Sequence, residues 1–546
     1  MENLELPLGK RTRFYRFFEM FPALLSYLMI FMPILLSLID PLLGAIFVIL
    51  YIIIWFVKAM AMSVRSIQGY NTLKRAMLVN WRQRLDDLED PEATLEVWGQ
   101  QRASEWKSDI HHHNLQRLVS TEGMKRPSEL YNALIIATYN ESREVLEPTI
   151  LSVLESAYDM QHVILVIAYE ERGGKAVEAT VKALQAKYQA RVGEFYIVKH
   201  PDGLFGEVVG KGANITYAGK ELYRRLQEKH IESENVIVTT LDSDNRPHST
   251  YLAYMTYEYI VHPEPRYASF QPLALFLNNI WDVPAPMRVL ATNNSFWNIV
   301  VSQRPNMLRN FASHSQGMAS LVDMDFWSTR TIVEDGHQFW RSYFRYDGYY
   351  SVVPIYVPIY QDAVMTEKYT RTLKAQFVQL RRWAYGASDI PYVTERVFTT
   401  KRTVPFWDGF MKWLRLVDSH VSWASAPFIL LFGAFAPLFL SAESSRSIVA
   451  HLLPGIASTI QQIAMVGILI IIIVSFKLLP KRPERYGWSR NIGMLLQWVL
   501  APVLGIVYGG SAALYSQTRL LLGRYLDKFD VTEKAVVKEA PAPAKP

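Results

Sequence analysis

The sequence predicts an α/β domain built on a parallel sheet and inserted between two groups of membrane-spanning helices. From Tyr131 onward, short apolar strand patterns alternate with helical patterns. Two uncharged apolar segments lie near the N-terminus, and three further apolar segments lie near the C-terminus. Half of the 546 residues are hydrophobic although 20% are charged, which fits a water-exposed domain joined to membrane helices.

Residues 1–70 are predicted to form a transmembrane hairpin. Phe21 to Ile39 and Pro41 to Val57 contain no charged side chain, and each is close to the roughly 20 residues needed to cross the hydrocarbon core. Asp40-Pro41 is typical of a tight turn between them. Because the pair is too long for a cleaved signal peptide, we expect it to be a retained anchor.

Residues 421–525 are predicted to form a C-terminal transmembrane region with three apolar stretches, Val421 to Ala442, Ile448 to Phe476 and Asn491 to Gln517. The last stretch contains Pro502, Gly505, Gly509 and Gly510, so we expect it to be bent or re-entrant. Residues 526–546 are rich in Pro, Ala and Lys and are predicted to be disordered.

Three clusters of basic residues, within 10–16, 58–65 and 477–490, flank the membrane segments, and we expect the C-terminus to lie on the same side because the last stretch, if it crossed fully, would place Arg519, Arg524 and Lys528 outside. By the positive-inside rule these flanks lie in the cytoplasm, and the domain between the two groups of helices lies there too. We therefore expect an integral protein of a bacterial-type plasma membrane with a cytoplasmic domain.

Residues 71–130 are predicted to be a cytoplasmic helical connector, solvated beneath the membrane. The segment is charged and prone to helix, with a helix start at Asp90-Pro91. His111, His112 and His113 follow one another directly, so they cannot all face one metal ion from a helix or a strand. We expect them to lie in a turn or at a surface edge.

Residues 131–400 are predicted to form the sheet domain. Its first four strands are Ala133 to Ala137, His162 to Ala168, Glu194 to Val198 and Val236 to Leu241. Three polar strings, TYNE, YEER and DSD, follow the first, second and fourth strands. Ligands bind beyond the carboxyl ends of the strands in such open sheets, so the three strings are expected to meet at one edge.

The DSD string indicates a site for a divalent cation. Asp242 and Asp244 follow an apolar strand, where a carboxylate needs a partner or a metal to offset its desolvation. Mg²⁺ or Mn²⁺ commonly joins one or two carboxylates to substrate phosphates. The chain has no cysteine, so zinc-thiolate sites, thiol nucleophiles and disulfides are excluded.

Two further strings supply an acid–base group and positive charge. In VEDGH, Glu334 and Asp335 are candidate general bases, and His337 is a candidate for a metal or phosphate contact. Lys211 and Arg382 can stabilise a diphosphate leaving group, while Trp383 can stack on a sugar ring or pack beneath the site. The glycines around Lys211 fit neither a Walker loop nor a dinucleotide fingerprint.

Taken together, the strings IIATYNE, GKGAN, TLDSDN, VEDGH and QLRRW resemble those of the membrane glycosyltransferases of family 2, the group of cellulose, chitin and hyaluronan synthases. The resemblance covers about residues 130 to 390. It implies a GT-A (Rossmann-like) fold, a nucleotide-sugar donor, expected to be a UDP-sugar, Mg²⁺ or Mn²⁺ as cofactor, and inversion at the anomeric carbon.

Residue by residue, the resemblance implies the following roles. Thr138, Tyr139 and Glu141 contact the nucleoside, and Lys211 contacts the nucleotide phosphates. Asp242 lies near the ribose and diphosphate, Asp244 holds the metal and Asp335 is the base. Gln379, Arg382 and Trp383 match QxxRW at the acceptor and diphosphate end. Where the family commonly has an Asp-Gly-Ser string, this chain has Tyr169-Glu170-Glu171, so Glu170 or Glu171 is expected to recognise the nucleobase.

Residues 401–420 are predicted to form an amphipathic helix in the membrane interface. Phe406, Phe410, Trp413 and Val417 share one helical face, and charged residues occupy the others. The alternative is a helix packed beneath the catalytic domain.

Three functions remain open from the sequence. The first is a synthase that extends a polysaccharide and passes it through its own helices. The second is the transfer of one sugar to a membrane lipid. The third is an inactive transferase-like partner subunit, which the presence of Asp244, Asp335 and Arg382 disfavours. The net charge of +6 does not indicate nucleic-acid binding, because lipid headgroups and phosphates account for it. The sugar, the linkage, the acceptor and the oligomeric state are not encoded in these motifs.

Overall fold

A computed structural model describes residues 4–7, 9–98, 105–121, 123–400, 402–440 and 447–526. The tail predicted to be disordered lies, from residue 527 on, outside the described residues.

The domain between the two groups of apolar helices is built on an eight-stranded mixed sheet in the described part of the chain. The strands are β1 (Tyr131–Thr138), β2 (Val163–Glu170), β3 (Glu194–His200), β4 (Val236–Asp242), β5 (Arg246–Pro247), β6 (Ala268–Leu275), β7 (Ser315–Gly317) and β8 (Ser351–Tyr360). Their order is β3-β2-β1-β4-β7-β6-β8-β5. The four predicted strands are confirmed as a parallel group, whereas β7 runs antiparallel to both of its neighbours.

Helices cover both the parallel and the mixed half of the sheet. In chain order the catalytic helices are α6 (Arg143–Leu154), α7 (Gly174–Tyr188), α8 (Lys211–Glu228), α9 (Tyr251–Val261), α10 (Ala285–Ser302), α11 (Met318–Asp323), α12 (Glu334–Arg345), α13 (Tyr369–Ala384) and α14 (Asp389–Phe398). They follow the membrane hairpin α1 (Arg13–Ile39) and α2 (Pro41–Met77) and the connector helices α3 (Trp81–Asp86), α4 (Pro91–Glu96) and α5 (Ser108–Val119).

The C-terminal membrane region contains α15 (Phe406–Phe432), α16 (Ala436–Leu440), α17 (Ile448–Leu478), α18 (Ser489–Leu496), α19 (Ala501–Leu504) and α20 (Ser511–Leu521). Among the described residues, five helical segments are long and apolar enough to cross a membrane, as the sequence predicts. The last of them, Ser489–Leu521, is irregular, because a 3₁₀ turn at Gln497–Leu500 and a π-helix at Gly505–Gly510 interrupt it. These breaks fall at or beside the Pro and Gly residues that predicted a bend.

Residues 401–420 do not form a separate helix. Phe406 begins α15, which continues without a break into the membrane segment. The aromatic face of its first turns packs on the catalytic domain, since Phe398 of α14 contacts Phe406, Phe410 and Trp413. The contacts therefore favour the alternative, a helix packed beneath the domain.

The connector is packed, not solvated, which corrects the sequence-based expectation. Trp81 is fully buried, and its ring stacks on Tyr254 of α9 with the ring centroids 3.6 Å apart. His111 lies in α5 and is buried, with its ring nitrogens 3.1 Å from Asp87 and 3.0 Å from the hydroxyl of Tyr257. The expected turn or surface edge is therefore wrong for His111, because its partners come from α9 and from the segment that follows α3.

We expect Trp81→Ala to destabilise the protein by about 3–5 kcal/mol, because it removes a fully buried aromatic side chain. Trp488 is 70% exposed, so Trp488→Ala serves as the matched control with an expected change of about 0.5 kcal/mol or less. Thermal unfolding of the detergent-purified variants measures both. Equal melting temperatures for the two variants would show that the connector is not part of the core.

Candidate functional site

The predicted polar strings meet at the carboxyl edge of the parallel strands. Strand register pairs Ala137 with Asp242 and Thr138 with Tyr169, so the ends of β1, β2 and β4 lie side by side. The side chain of Asn214 in α8 joins this edge by donating to the carbonyl of Ala168 at 2.9 Å. The predicted convergence of TYNE, YEER and DSD is thus confirmed by the register.

A buried lysine is the centre of the site. The Nζ atom of Lys211 lies 2.9 Å from Asp242, 3.2 Å from Asp335 and 3.6 Å from Glu334. Burial lowers the pKa of this ammonium group, but the charges of the three carboxylates outweigh burial and raise the pKa above its ordinary value. Three carboxylates therefore surround the nitrogen that was predicted to contact nucleotide phosphates.

Local structure explains why these groups meet. Lys211 is the first residue of α8 and Asp242 is the last residue of β4. Glu334 and Asp335 occupy the first turn of α12, where the helix dipole favours negative charge. Gly212 is required where the start of α8 approaches the start of α12. A Cβ at this position would lie 2.6 Å from the carbonyl oxygen of Ser328 and 3.0 Å from Cβ of Glu334.

The two acidic residues of α12 differ in their access to solvent. The side chain of Glu334 is 3% exposed, whereas that of Asp335 is 19% exposed. Burial, and then the charge of Asp335, raises the pKa of Glu334 above its ordinary value. Asp335 is thus the better placed of the two to reach a substrate.

His314 lies behind Asp335 and was not predicted as a site residue. Its Nδ1 is 2.9 Å from the carbonyl oxygen of Phe311 and 3.7 Å from Asp335, and its Nε2 accepts from the indole of Trp327 at 3.2 Å. This pattern fixes the neutral tautomer with the proton on Nδ1. The only sequence signal was the neighbouring Ser315-Gln316-Gly317 string, whose match to the family is loose.

His337 pairs with a carboxylate of α14. Its Nδ1 lies 2.7 Å from Asp389, and its ring contacts that of Tyr392 at 4.5 Å between centroids. Among the described residues, no group of three or more His, Asp or Glu side chains is placed to hold a metal ion by itself. The structure therefore joins His337 to Asp389, a partner that the sequence did not identify.

Asp244 lies next to Asp242 at the end of β4 and is buried. Its carboxylate accepts from the backbone N–H of Asp362 at 3.2 Å, and its carbonyl accepts from the side chain of Asn278 at 3.0 Å. Asp362 follows β8, so this contact links the two halves of the sheet at the DSD string.

The residues predicted to contact the nucleoside lie in the turn after β1 and at the end of β2. Glu141 accepts from the hydroxyl of Thr138 at 2.7 Å and from the backbone N–H of Tyr139 at 2.8 Å, so it stabilises its own turn. Glu170 forms a two-pronged ion pair with Arg172, whose guanidinium lies 3.9 Å above the ring of Tyr139. Arg172 was not predicted, because its importance depends on these tertiary contacts.

The QLRRW string lies on α13, between the catalytic domain and the membrane helices. Gln379 accepts from Gln376 at 3.1 Å, and Trp383 packs on Phe276 with 6.0 Å between the ring centroids. Burial and the charge of Asp335 raise the pKa of Glu334, and the charge of Arg382 opposes this shift. On the opposite side, the hydroxyl of Ser516 in α20 donates to the carbonyl of Arg381 at 2.5 Å.

One family model matches part of the chain. Residues 237–479 match the model of the family described as glycosyl transferase family group 2. The matched range includes DSD, VEDGH and QLRRW, and the match supports a glycosyltransferase of the family 2 type. Together with the mixed sheet flanked by apolar helices, it confirms the GT-A fold class that the sequence predicts.

Solved structures show distant similarity. The mannosyltransferase PcManGT from Pyrobaculum calidifontis, in complex with GDP-Man and Mn²⁺, is 14% identical with a TM-score of 0.41, covering 76% of this chain and 98% of that chain. TarS residues 1–349 from S. aureus, in complex with UDP-GlcNAc, are 12% identical with a TM-score of 0.36, covering 73% of this chain and 93% of that chain. A comparison with curated protein sequences gives no match.

We expect Lys211→Met to destabilise the protein by about 3–5 kcal/mol, because it leaves three carboxylates around a buried position without their cation. Lys220→Met is the control on the same helix, since Lys220 is 49% exposed and pairs with an exposed Asp325; we expect a change of about 1 kcal/mol or less. Thermal unfolding in detergent compares the two. A Lys211→Met variant as stable as Lys220→Met would contradict a central role for this cation.

Proposed function

We propose that the chain is a membrane-embedded, inverting glycosyltransferase that transfers a sugar from a nucleotide sugar, expected to be a UDP-sugar, to an acceptor hydroxyl. The observation that carries the proposal is the cluster of Lys211, Asp242, Glu334 and Asp335 at the carboxyl edge of the sheet, three of whose members lie inside the range matched to the family. Such an edge is where α/β domains bind nucleotides.

The donor is proposed to lie along the ends of β1, β2 and β4. The nucleobase would meet Tyr139 and the Glu170–Arg172 ion pair, where a carboxylate can accept from base N–H groups and an aromatic ring can stack. Thr138 and Glu141 would position this turn, and Asp242 would lie near the ribose and diphosphate. Glu170 is already paired with Arg172, so its presence does not determine which nucleobase the donor carries. The transfer chemistry does not depend on that nucleobase.

The donor set at DSD fits Mg²⁺ or Mn²⁺ that arrives with the diphosphate. Asp244 and Asp242 offer hard carboxylate oxygens beside each other, and such ions need only one or two protein carboxylates when substrate phosphates complete the coordination. The ion would supply charge neutralisation for the departing diphosphate.

Asp335 is proposed to be the general base. The acceptor oxygen attacks the anomeric carbon while its proton passes to the carboxylate of Asp335. The bond from that carbon to the diphosphate oxygen breaks, and the nucleoside diphosphate leaves with the electron pair, so configuration inverts. Lys211 then acts as a positioning residue, because it holds Asp335 against Asp242 and is enclosed by carboxylates.

Gln379, Arg382 and Trp383 are proposed to form the acceptor and diphosphate end. The planar guanidinium of Arg382 suits phosphate oxygens. Trp383 packs on Phe276, which favours a supporting role beneath the site. Because α13 also contacts α20, the acceptor would enter from the membrane side.

The acceptor is either a growing polysaccharide, with transfer coupled to translocation, or a membrane lipid that receives one sugar. Five membrane-spanning candidates are compatible with both. Sizing of the product distinguishes them, since one added sugar on a lipid partitions into organic solvent and a polymer does not.

We expect Asp335→Asn to retain nucleotide binding and to lower transfer by about 100-fold or more, because it removes the proton acceptor and keeps the shape. Asp244→Ala should weaken Mn²⁺-dependent nucleotide binding as well. Asp325→Asn is the control, because Asp325 is an exposed carboxylate away from the cluster. Calorimetric nucleotide binding and release of nucleoside diphosphate measure the two effects. Full transfer activity in Asp335→Asn would remove Asp335 from the mechanism.

A further inference from the structure

Four arginines lie where the membrane helices meet the catalytic domain. Arg65 is on α2 and Arg415 is on α15, whereas Arg304 and Arg309 are on the segment that follows α10. We call this set the arginine groove. None of the four is part of the nucleotide site described above.

The two membrane helices bring their arginines to one gap. Nζ of Lys58 lies 3.3 Å from Asp418, which joins α2 to α15. Arg65 is about two helical turns beyond Lys58, and Arg415 is about one turn before Asp418. Since the helices run in opposite directions from this ion pair, both arginines lie on the side of the pair that faces the catalytic domain.

The end of α10 in the catalytic domain borders the gap between α2 and α15. A Cβ on Gly69, one turn beyond Arg65, would lie 2.4 Å from Ile299, and Thr72 lies 3.4 Å from Gln303. The end of α10 therefore packs directly on α2, and Arg304 follows it. The guanidinium of Arg309 lies 4.7 Å above the ring of Trp340 in α12, the helix that carries Glu334 and Asp335.

The four cations are close enough to repel one another. Burial, and then the charges of Arg65 and Arg415, lowers the pKa of Arg304. Burial lowers the pKa of Arg309 to about 10; Asp389 opposes this shift and Arg415 adds to it. Both guanidinium groups remain charged at neutral pH, so the groove carries a concentration of positive charge.

The carboxylates around the groove have other partners. Asp389 pairs with His337, Asp408 with Tyr343 and Lys412, and Asp418 with Lys58. Within the described residues, no guanidinium of the groove donates a hydrogen bond or forms an ion pair at contact distance. Half-buried cations without an anionic partner are costly, so the groove is suited to an anion from outside the chain.

The surroundings of the groove are apolar on the membrane side. Ile54 and Val57, next to Lys58 on α2, are 53% and 59% exposed on the membrane side, and Met411 and Leu414, which precede Arg415 on α15, are exposed on the side of the catalytic domain. A lipid matches this arrangement, because its acyl chains cover the apolar residues while its headgroup phosphate meets the guanidinium forks. A water-soluble anion would leave the apolar residues uncovered.

We propose that the arginine groove binds the phosphate of a membrane lipid and presents a hydroxyl of that lipid to Asp335. This rests on the proposed function, and it names the acceptor class as a phosphate-bearing lipid. The link to the site is structural, since Arg309 packs on α12 and Asp389 holds His337, two residues beyond Asp335. The bonds made and broken in transfer are those given for the acceptor hydroxyl above.

The test titrates short-chain phosphatidic acid into the full-length chain in phosphatidylcholine nanodiscs and measures binding by native mass spectrometry. We expect Arg304→Gln/Arg415→Gln to weaken binding about tenfold or more, the effect of losing at least one charge-assisted hydrogen bond. The affinity of Arg304→Lys/Arg415→Lys should lie between those of the unchanged chain and the double Gln variant, since Lys keeps the charge but lacks the planar guanidinium fork. Arg13→Gln, at the exposed start of α1 on the same membrane flank, should bind as the unchanged chain does.

Four results would overturn the proposal. If the double Gln variant bound phosphatidic acid as tightly as the unchanged chain, the groove would not be the binding site. If Arg13→Gln lost as much affinity as the double Gln variant, the effect would come from the general positive charge near the membrane. Equal affinity for oleate would exclude recognition of phosphate. Equal competition by inorganic phosphate would exclude a lipid as the source.

Nucleotide binding with Mn²⁺ separates this proposal from the proposed function. If the groove is wrong, the unchanged chain and the double Gln variant bind and turn over the donor alike and bind phosphatidic acid alike. If the glycosyltransferase function is wrong, neither binds a nucleotide sugar, yet the unchanged chain still binds phosphatidic acid more tightly than the variant does.

Discussion

The buried ammonium group of Lys211 constrains the rest of the site. It sits among carboxylates that come from the end of β4 and from the first turn of α12, and removing it would leave these negative charges together in a poorly solvated place. The start of α8 must therefore reach the strand edge, which the absence of a side chain at Gly212 permits. The position of Asp335 relative to Asp242 follows from this one cation.

The catalytic domain and the membrane helices share their packing. One hydrophobic cluster contains Trp340 of α12, Tyr392 of α14 and Leu416 of α15, and another contains Met287 of α10 and Trp498 of the last membrane segment. The helix with the QLRRW string lies between the two regions. The acidic cluster is therefore fixed relative to the apolar helices.

The sequence predicts those features that depend on local pattern. The four parallel strands and the polar residues at their ends follow from strand periodicity and from the rule that ligands bind at the carboxyl edge. The second half of the sheet was not predicted, because β7 has only three residues and its pairing with β4 and β6 is tertiary. The partners of His337 and Tyr139 were missed for the same reason, since Asp389 lies outside the motifs and the contacts of Arg172, the last residue of YEER, are tertiary.

Two expectations, a solvated connector and an interfacial helix at residues 401–420, differ from the structure because the residues that cover these segments are distant in sequence. Trp81 packs against Tyr254, Tyr257 and Trp106, and the aromatic face of α15 is covered by Phe398. Amphipathic pattern indicates that a face is covered, but it does not distinguish lipid from protein.

The most direct measurement is turnover of a panel of UDP- and GDP-sugars by the detergent-purified chain with Mn²⁺ or Mg²⁺, detecting released nucleotide and sizing the product. The account predicts metal-dependent release from one donor, loss of release in Asp335→Asn, and a sugar-bearing product that is organic-soluble when a phosphate-bearing lipid is supplied. Absence of both turnover and nucleotide binding across the whole panel, with that lipid present, would contradict it.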